Sequence, residues 1–227
     1  ADTAQRLFYL DPNDRFWPLH GRNVVHFLGK GNCRFKSQRR LTITYAVGGA
    51  GAQREFGYHI TNSLRDKLES GEVALNLVAG VREEVHQYFQ QVKAELLPDT
   101  PHLRIIYSPL KEEYFQLFAE AIRSTDILWT KPSELSFYCG LGIPIIMSPS
   151  IGAQEVFNRR WLLEIQAGIP QEDPEYTGEW LFDLWREGRL AESAWDGFLK
   201  ARKYGTYKIQ EILETGTMAR ETSPLKR

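Results

Sequence analysis

Short apolar runs alternate with amphipathic stretches through the middle of the chain, between residues 41 and 169. The apolar runs are rich in β-branched side chains and end in glycine, proline or polar residues, as buried strands do. The predicted strands are 41–47, 73–79, 103–108, 126–130 and 144–148. After each of them the apolar positions fall at helical spacing. This predicts helices near 53–69, 82–96, 112–123, 133–141 and 154–167.

The alternation of strands and helices predicts an α/β fold, a Rossmann-like parallel sheet flanked by helices. Parallel strands need long crossover connections, and helices in those connections cover both faces of the sheet. Open sheets of this kind bind ligands beyond the carboxyl ends of their strands. We therefore expect a functional site in the turns that follow the predicted strands.

The two ends of the chain differ from this regular middle. Residues 1–38 carry short apolar bursts between prolines and glycines, and Asn23–Leu28 could form one strand. We expect this segment to be a linker or a remnant of a neighbouring domain. Residues 39–227 form the predicted Rossmann-like domain. From about residue 171 its pattern predicts additional C-terminal helices, near 178–187, 190–203 and 206–214.

Composition narrows the possible functions. The 227 residues include 28 basic and 29 acidic side chains, which argues against nucleic-acid binding because that needs a basic face. No apolar run is long enough to span a membrane, and no signal peptide is visible. Cys33 and Cys139 are far apart in sequence and fit no metal or redox-motif spacing, so a cytoplasmic location is expected, with Cys139 buried. The chain begins at Ala1 rather than Met, and we expect it to be a fragment of a longer protein.

A glycine-rich turn, VGGAGAQ at 47–53, follows the first predicted strand. Glycine permits positive φ and lets the backbone approach a ligand closely. A helix starting near Ala52 would direct its free N–H groups and the positive end of its dipole into the turn, which suits a phosphate. The spacing matches neither the dinucleotide fingerprint nor the P-loop. A plain strand-to-helix turn would use the same glycines.

A second candidate turn follows the fourth predicted strand. Pro132 fits the first turn of a helix that Thr130 or Ser133 can cap, and Glu134 suits the helix dipole. Lys131 would stand at the mouth of the cleft, where its charge can pair with a phosphate. The alternative is a solvated lysine beside an ordinary cap.

Two further turns carry polar side chains. Gln154 and Glu155 open the helix after the fifth strand, where they can bind sugar hydroxyls or simply favour the helix N-terminus. Arg82 follows the second strand and could reach a phosphate, or simply start a surface helix. The histidines, serines and carboxylates show no metal or catalytic spacing, so no catalytic residue and no metal site is predicted.

Together, VGGAGAQ and STDILWTKPSELSFYCGLGIPIIMSPSIGAQE (124–155) resemble motifs of the carboxyl-terminal, donor-binding half of GT-B glycosyltransferases, over roughly residues 41–169. The similarity is to the group of the peptidoglycan N-acetylglucosaminyl transferase and monogalactosyldiacylglycerol synthase. The resemblance implies a nucleotide-sugar substrate, usually UDP-linked, with no further cofactor and no metal. It also implies an N-terminal GT-B domain that binds the acceptor in the full-length protein. Without that domain the fragment is expected to be inactive.

The resemblance assigns nucleotide-sugar contacts by position. The residues that would face the diphosphate are Gly49, Ala50 and Gly51. Those beside the diphosphate and ribose would be Lys131, Pro132 and Ser133. The sugar contacts would be Gln154 and Glu155.

Phe137 departs from the family pattern, since it stands where a ribose-binding glutamate is usual. Glu134 is the carboxylate that could substitute, from a turn earlier. Because a helical phenylalanine most often belongs to the core, we expect Phe137 to point into the core and Phe137→Glu to be destabilising. Three hypotheses follow: the donor-binding half of a glycosyltransferase, a non-catalytic GT-B-like binding or assembly module, and, with less support, a sugar-nucleotide epimerase-like domain.

Overall fold

A computed structural model describes residues 2–33, 40–48, 51–133, 135–203 and 205–217. Six strands form one sheet in the order β3-β2-β1-β4-β5-β6, and all neighbouring strands are parallel. They are β1 (Leu41–Ala46), β2 (Val73–Gly80), β3 (Leu103–Tyr107), β4 (Ile127–Thr130), β5 (Ile145–Met147) and β6 (Gly168–Pro170). The predicted Rossmann-like parallel sheet is therefore confirmed, with all five predicted strands in it.

β6 was not predicted, because its three residues, Gly168–Pro170, carry no apolar run. It forms by pairing with β5, in the register Ile145 with Gly168 and Met147 with Pro170. Tertiary pairing rather than local pattern decides such a short edge strand.

Helices surround the sheet and occupy most of the remaining chain. They are α1 (Asp2–Tyr9), α2 (Trp17–Leu28), α3 (Glu55–Ser63), α4 (Arg65–Glu69), α5 (Glu83–Leu96), α6 (Lys111–Ser124), α7 (Leu135–Gly140), α8 (Ala153–Glu164), α9 (Thr177–Arg186), α10 (Arg189–Lys200) and α11 (Gly205–Thr215). The helix predicted over 53–69 is divided at Leu64 into α3 and α4. The predicted C-terminal helices are present as α9, α10 and α11. Within the described ranges, no helix has the length and apolarity needed to cross a bilayer.

Periodic apolar faces explain how the helices pack on the sheet. In α5 the buried residues are Val85, Phe89, Val92 and Leu96, which recur every three or four positions and so share one face. They belong to the main core cluster together with the buried side chains of β1 and β2. Helices cover the faces of the sheet but not the carboxyl ends of its strands, and ligands of such sheets bind at those ends.

The predicted strand at Asn23–Leu28 is wrong, since these residues form the second half of α2. Val24 is buried, and Phe27 and Leu28 pack partly buried against the same core. These positions are three and four residues apart, so one helical face carries all of the apolar contacts, and a strand would place neighbours on opposite sides. Leu7 of α1 also belongs to the main core.

Candidate functional site

Four turns meet at the carboxyl edge of the sheet. The last residue of β1, Ala46, pairs with Val78 of β2 and with Thr130 of β4, and Thr130 pairs in turn with Met147 of β5. This register brings the segments after β1, β2, β4 and β5 side by side. The predicted meeting of these turns at one edge therefore follows from the observed strand order.

The glycine turn after β1 is tight. Gly51 has φ +70°, a conformation that favours glycine, and its N–H donates a hydrogen bond of 2.7 Å to the Gly48 carbonyl. Gln53 also has positive φ, +68°, and its carbonyl accepts a hydrogen bond from the Tyr45 hydroxyl at 2.5 Å. Gly49 and Ala50, which the resemblance assigns to the diphosphate, lie outside the described residues.

The helix after this turn starts later than predicted. α3 begins at Glu55, not near Ala52, because the left-handed backbone of Gln53 prevents an earlier helical start. The side chain of Gln53 instead crosses to the turn after β5, where Nε2 donates to the Pro149 carbonyl at 2.9 Å. Gln53 therefore links two turns of the site. Sequence reasoning gave it no role, and its place at the end of the VGGAGAQ motif was the available signal.

Lys131 lies across Gly48. A Cβ atom on Gly48 would come within 2.8 Å of Lys131 Nζ, and closer still to its Cε. Only 12% of the lysine side chain is exposed, so the solvated alternative is wrong. Glycine at position 48 therefore provides the space in which the lysine lies.

Glu155 holds the lysine in that position. Its Oε1 lies 3.2 Å from Lys131 Nζ, and its Oε2 accepts a 2.7 Å hydrogen bond from the Ile151 N–H. Burial would raise the pKa of Glu155, but the Ile151 N–H, the lysine contact and the Gly152 backbone together lower that pKa below its ordinary value. The carboxylate is thus ionised at neutral pH and committed to the lysine.

The turn that carries Lys131 is fixed from α8. Asn158 Nδ2 donates to the carbonyls of Pro132 at 3.0 Å and Ser133 at 3.1 Å, and the Ser133 N–H donates to the Lys131 carbonyl at 2.8 Å. Pro132 is buried and Ser133 is exposed. α7 then begins at Leu135, two residues later than predicted. Glu134 lies outside the described residues.

A pocket of about 680 Å³ opens beside the glycine turn, between α6 and α7. Small residues at the ends of β1 and β2 form its floor, among them Ala46, Gly48 and Gly80. Aromatic residues form its walls, on α6 Tyr114, Phe115 and Phe118, and on α7 Phe137 and Tyr138. The aromatic residues of these walls were not predicted to form a site, and the available signal was the closely spaced aromatic residues of the stretch YFQLF in α6.

Phe137 does not point into the core, so that prediction is wrong. Its side chain is 65% exposed and lines the pocket, with its ring 5.5 Å from that of Tyr138. In α7 the buried face is taken by Leu135 and Cys139, which are four residues apart. Phe137 lies midway between them and therefore faces away from the core.

Burial raises the pKa of the Cys139 thiol to about 12, and the predicted burial of Cys139 is confirmed.

The other predicted site residues fall into two groups. Arg82 lines the pocket together with Ser133 and Gly48, and its guanidinium lies 3.9 Å from the Glu84 carboxylate. Gln154 is exposed in the first turn of α8 and does not line the pocket. The structure thus brings Arg82 and Ser133 to the pocket, with the Lys131–Glu155 pair beside Gly48.

Two buried polar atoms near these turns have no hydrogen-bond partner within the described part of the chain, Gln53 Oε1 and Ser150 Oγ. Such atoms are uncommon in folded proteins and occur at sites completed by water or a ligand. Among the same residues, His, Cys, Asp and Glu side chains nowhere gather in threes as a metal site would require.

No protein-family model matches the chain, and no curated protein sequence matches it at a significant level. Its structure is similar to that of Acinetobacter baumannii MurG, with a TM-score of 0.57 and 20% identity over 79% of this chain and 51% of that chain. It is also similar to Staphylococcus aureus MnaA in a co-structure with UDP, with a TM-score of 0.52 and 12% identity over 80% of this chain and 48% of that one.

A third similar structure is a Listeria monocytogenes protein assigned as a UDP-N-acetylglucosamine 2-epimerase, with a TM-score of 0.50 and 13% identity over 96% of this chain and 54% of the other. The chain spans about half the length of each of these structures. It therefore has the fold of one half of a GT-B protein, a six-stranded parallel sheet flanked by helices.

Proposed function

We propose that this chain is the donor-binding half of a sugar-nucleotide-dependent glycosyltransferase and that it binds the nucleoside diphosphate of its donor at the carboxyl edge of the sheet. The observation that carries the proposal is the position of Lys131, buried across Gly48 and next to the pocket. The co-structure of S. aureus MnaA with UDP, a protein of similar fold, also supports it.

The diphosphate would lie against the glycine turn and the lysine. Lys131 Nζ has three N–H donors, and the contact with Glu155 occupies one direction. A buried cation held by a second residue needs little reorganisation when an anion arrives, which is how an enzyme site stabilises charge that develops on a leaving group. Arg82, at the pocket rim, adds a second cation.

The base would lie in the aromatic pocket. A volume of about 680 Å³ is in the range of small-molecule sites, and aromatic walls offer stacking surfaces for a flat ring. Tyr114 and Phe118 on α6 are already stacked on each other, 5.7 Å apart at 24°. Because these two rings already pack against each other, fewer free side chains would have to be ordered on binding, which lowers the entropic cost.

The transfer reaction itself would need a second domain to bind the acceptor. This chain covers about half of each similar solved structure, and the proposal assigns the uncovered half to an N-terminal GT-B domain of the full-length protein. In the cleft between the two halves, Lys131 and the backbone N–H groups of the glycine turn would stabilise the departing diphosphate. No residue is assigned as an acid, base or nucleophile.

A non-catalytic binding module is the second candidate, and one observation favours it. The Lys131–Glu155 pair is complete without a ligand, since each charge already has a partner at hydrogen-bonding distance. If the pair serves only to fasten the turn after β4 to α8, the chain keeps its fold and binds no donor.

Calorimetric titration with UDP distinguishes the two candidates. Because the chain lacks the contacts of a second domain, UDP should bind weakly, with a high-micromolar to millimolar dissociation constant. This corresponds to a binding free energy of about 4–6 kcal/mol in magnitude. The double variant Lys131→Met/Glu155→Gln removes the cation without leaving a buried charge alone. The proposal expects this variant to lose at least about tenfold in affinity, whereas the control Lys200→Met, which changes a distant exposed lysine, should not. No heat of binding in the wild-type protein would favour the non-catalytic module.

A further inference from the structure

Gln53 carries two local costs that the rest of the fold must offset. Its backbone is left-handed, with φ +68°, a conformation that is unfavourable for a residue with a side chain. Its Oε1 atom is buried and has no hydrogen-bond partner within the described part of the chain. Costs of this kind persist only where surrounding contacts impose them, and they concentrate at functional sites.

A second left-handed glutamine, in contrast, has an ordinary structural explanation. Gln166, with φ +63°, follows the end of α8, and the N–H of the next residue, Ala167, donates to the Leu162 carbonyl at 3.0 Å. A left-handed residue just after a helix is common, because it turns the chain back towards the last free carbonyls. Gln53 instead precedes α3, which begins at Glu55. The start of a helix needs no left-handed residue, so the conformation of Gln53 has another cause.

Gln53 is connected to Lys131 through the turn after β5. Its Nε2 donates to the Pro149 carbonyl at 2.9 Å. Two residues later in the same turn, the Ile151 N–H donates to Glu155 Oε2 at 2.7 Å, and Glu155 Oε1 lies 3.2 Å from Lys131 Nζ. The position of the lysine therefore depends on a turn that Gln53 holds at its start.

The same chain of contacts returns to the glycine turn. Lys131 lies against Gly48, where a Cβ atom would come within 2.8 Å of its Nζ, and the Gly51 N–H donates to the Gly48 carbonyl at 2.7 Å. At the end of this turn, the Gln53 carbonyl accepts a hydrogen bond from the buried Tyr45 of β1. A ring of contacts thus begins and ends in the glycine turn, and Gln53 is the residue that closes it.

We propose, in an inference that rests on the proposed function, that Gln53 is a positioning residue for the diphosphate of the donor. It fastens the glycine turn to the turn after β5, so that the glycine turn and Lys131 keep one relative position before a ligand binds. Groups that bind one anion together lose affinity when their separation varies, because binding must then order them. The unfavourable backbone of Gln53 is the cost of that arrangement.

The test compares two glutamine-to-glycine variants at left-handed positions. Glycine adopts positive φ at no steric cost, so Gln53→Gly and Gln166→Gly should both fold, with thermal midpoints within about 4 °C of the wild type. The inference expects Gln53→Gly to lose at least about tenfold in UDP affinity, measured by calorimetric or amide-shift titration. The control Gln166→Gly loses a hydrogen bond from Lys200 at the other end of α8, and its UDP affinity should stay within about twofold of the wild type.

The variant Gln53→Asn separates the backbone conformation from the contact with Pro149. Asparagine adopts the left-handed conformation more readily than glutamine, but its amide is one methylene closer to the backbone and should not reach the Pro149 carbonyl. The inference therefore expects a loss of UDP affinity in Gln53→Asn as well. Wild-type affinity in this variant would overturn the inference.

Two further outcomes would overturn it and leave the proposed function standing. One is equal UDP affinity in Gln53→Gly and Gln166→Gly while the wild type binds UDP. The other is a much larger loss of thermal stability in Gln53→Gly than in Gln166→Gly, which would mean that the contacts of Gln53 serve the fold. If the wild type binds no UDP at several millimolar, the proposed function fails and the inference fails with it.

Discussion

Lys131 Nζ and Glu155 Oε1 lie 3.2 Å apart, with 12% and 9% of their side chains exposed. The pair joins the turn after β4 to the first turn of α8. A buried charge that loses its partner is strongly destabilising, whereas the pair as a whole adds little. The contact therefore fixes the position of the Lys131 side chain but contributes little net stability to the fold.

The pair predicts a loss of stability in acid. The pKa of Glu155 is lowered in the folded state, so its contribution is present above the unfolded pKa, about 4.3, and is lost as the pH falls through the folded pKa. We expect Glu155→Gln to lower the free energy of unfolding by about 1–3 kcal/mol at pH 7 and by less near pH 3. Denaturant unfolding at several pH values measures this. The control Glu164→Gln changes an exposed residue at the end of α8. Its free energy of unfolding should stay close to that of the wild type at every pH.

The variant Gly48→Ala tests whether the position of Lys131 next to Gly48 matters for UDP binding. The new Cβ would meet the flexible end of Lys131, so we expect a stability cost of about 1 kcal/mol or less but at least a tenfold loss of UDP affinity. Gly152→Ala is the control, because a Cβ there meets nothing within 4 Å. Equal UDP affinity in both variants would mean that the position of Lys131 does not matter for binding.

Phe137→Glu should leave the stability of the chain almost unchanged, by about 0.5 kcal/mol or less, because the position is 65% exposed. Leu135→Glu, on the opposite, buried face of α7, should cost several kcal/mol, since Leu135 is 3% exposed and the new side chain would bury a charge. Thermal unfolding of both variants checks the orientation of α7. A large loss in Phe137→Glu would show that Phe137 lies in the core after all.

The N-terminal helices should behave as part of the folded unit. Leu7 is fully buried in the main core, and Arg6 donates to the Thr125 carbonyl at 2.9 Å and to the Leu141 carbonyl at 2.8 Å. We expect Leu7→Ala to cost about 3 kcal/mol in denaturant unfolding. Phe8→Ala, at a 40% exposed neighbour, should cost much less. Equal, small effects would instead support a loosely attached segment. Whether residues 1–38 are a linker or a domain remnant in a longer protein stays a prediction.

The sequence predicted the sheet because the burial of parallel strands leaves a strong local signal. Strands such as Val73–Gly80 are buried on both faces, and their alternation with helices indicates a parallel sheet. It missed β6, whose residues Gly168–Pro170 become a strand only through pairing with β5. It also read Asn23–Leu28 as a strand, because two adjacent valines favour β structure locally while the core contacts select a helix.

The site was predicted in part, for a similar reason. Lys131, Glu155 and the glycine turn each follow a predicted strand. Because parallel strands end at the same edge of a sheet, these three features were expected at one edge. The ion pair between Lys131 and Glu155 joins two turns that are distant in sequence, so no local pattern specifies it. The orientation of Phe137 depends on which face of α7 is buried, and a helix of six residues, with Leu135 and Cys139 buried, is too short for its pattern to fix that face.

Amide chemical shifts during a UDP titration report both the affinity for the diphosphate and the place where it binds. If the diphosphate binds at the carboxyl edge of the sheet, we expect saturable shifts at Gly48, Gly51, Arg82 and Ser133, with a dissociation constant in the high micromolar to millimolar range. An absence of shifts at about 5 mM UDP, or shifts confined to α9–α11, would contradict binding at this edge.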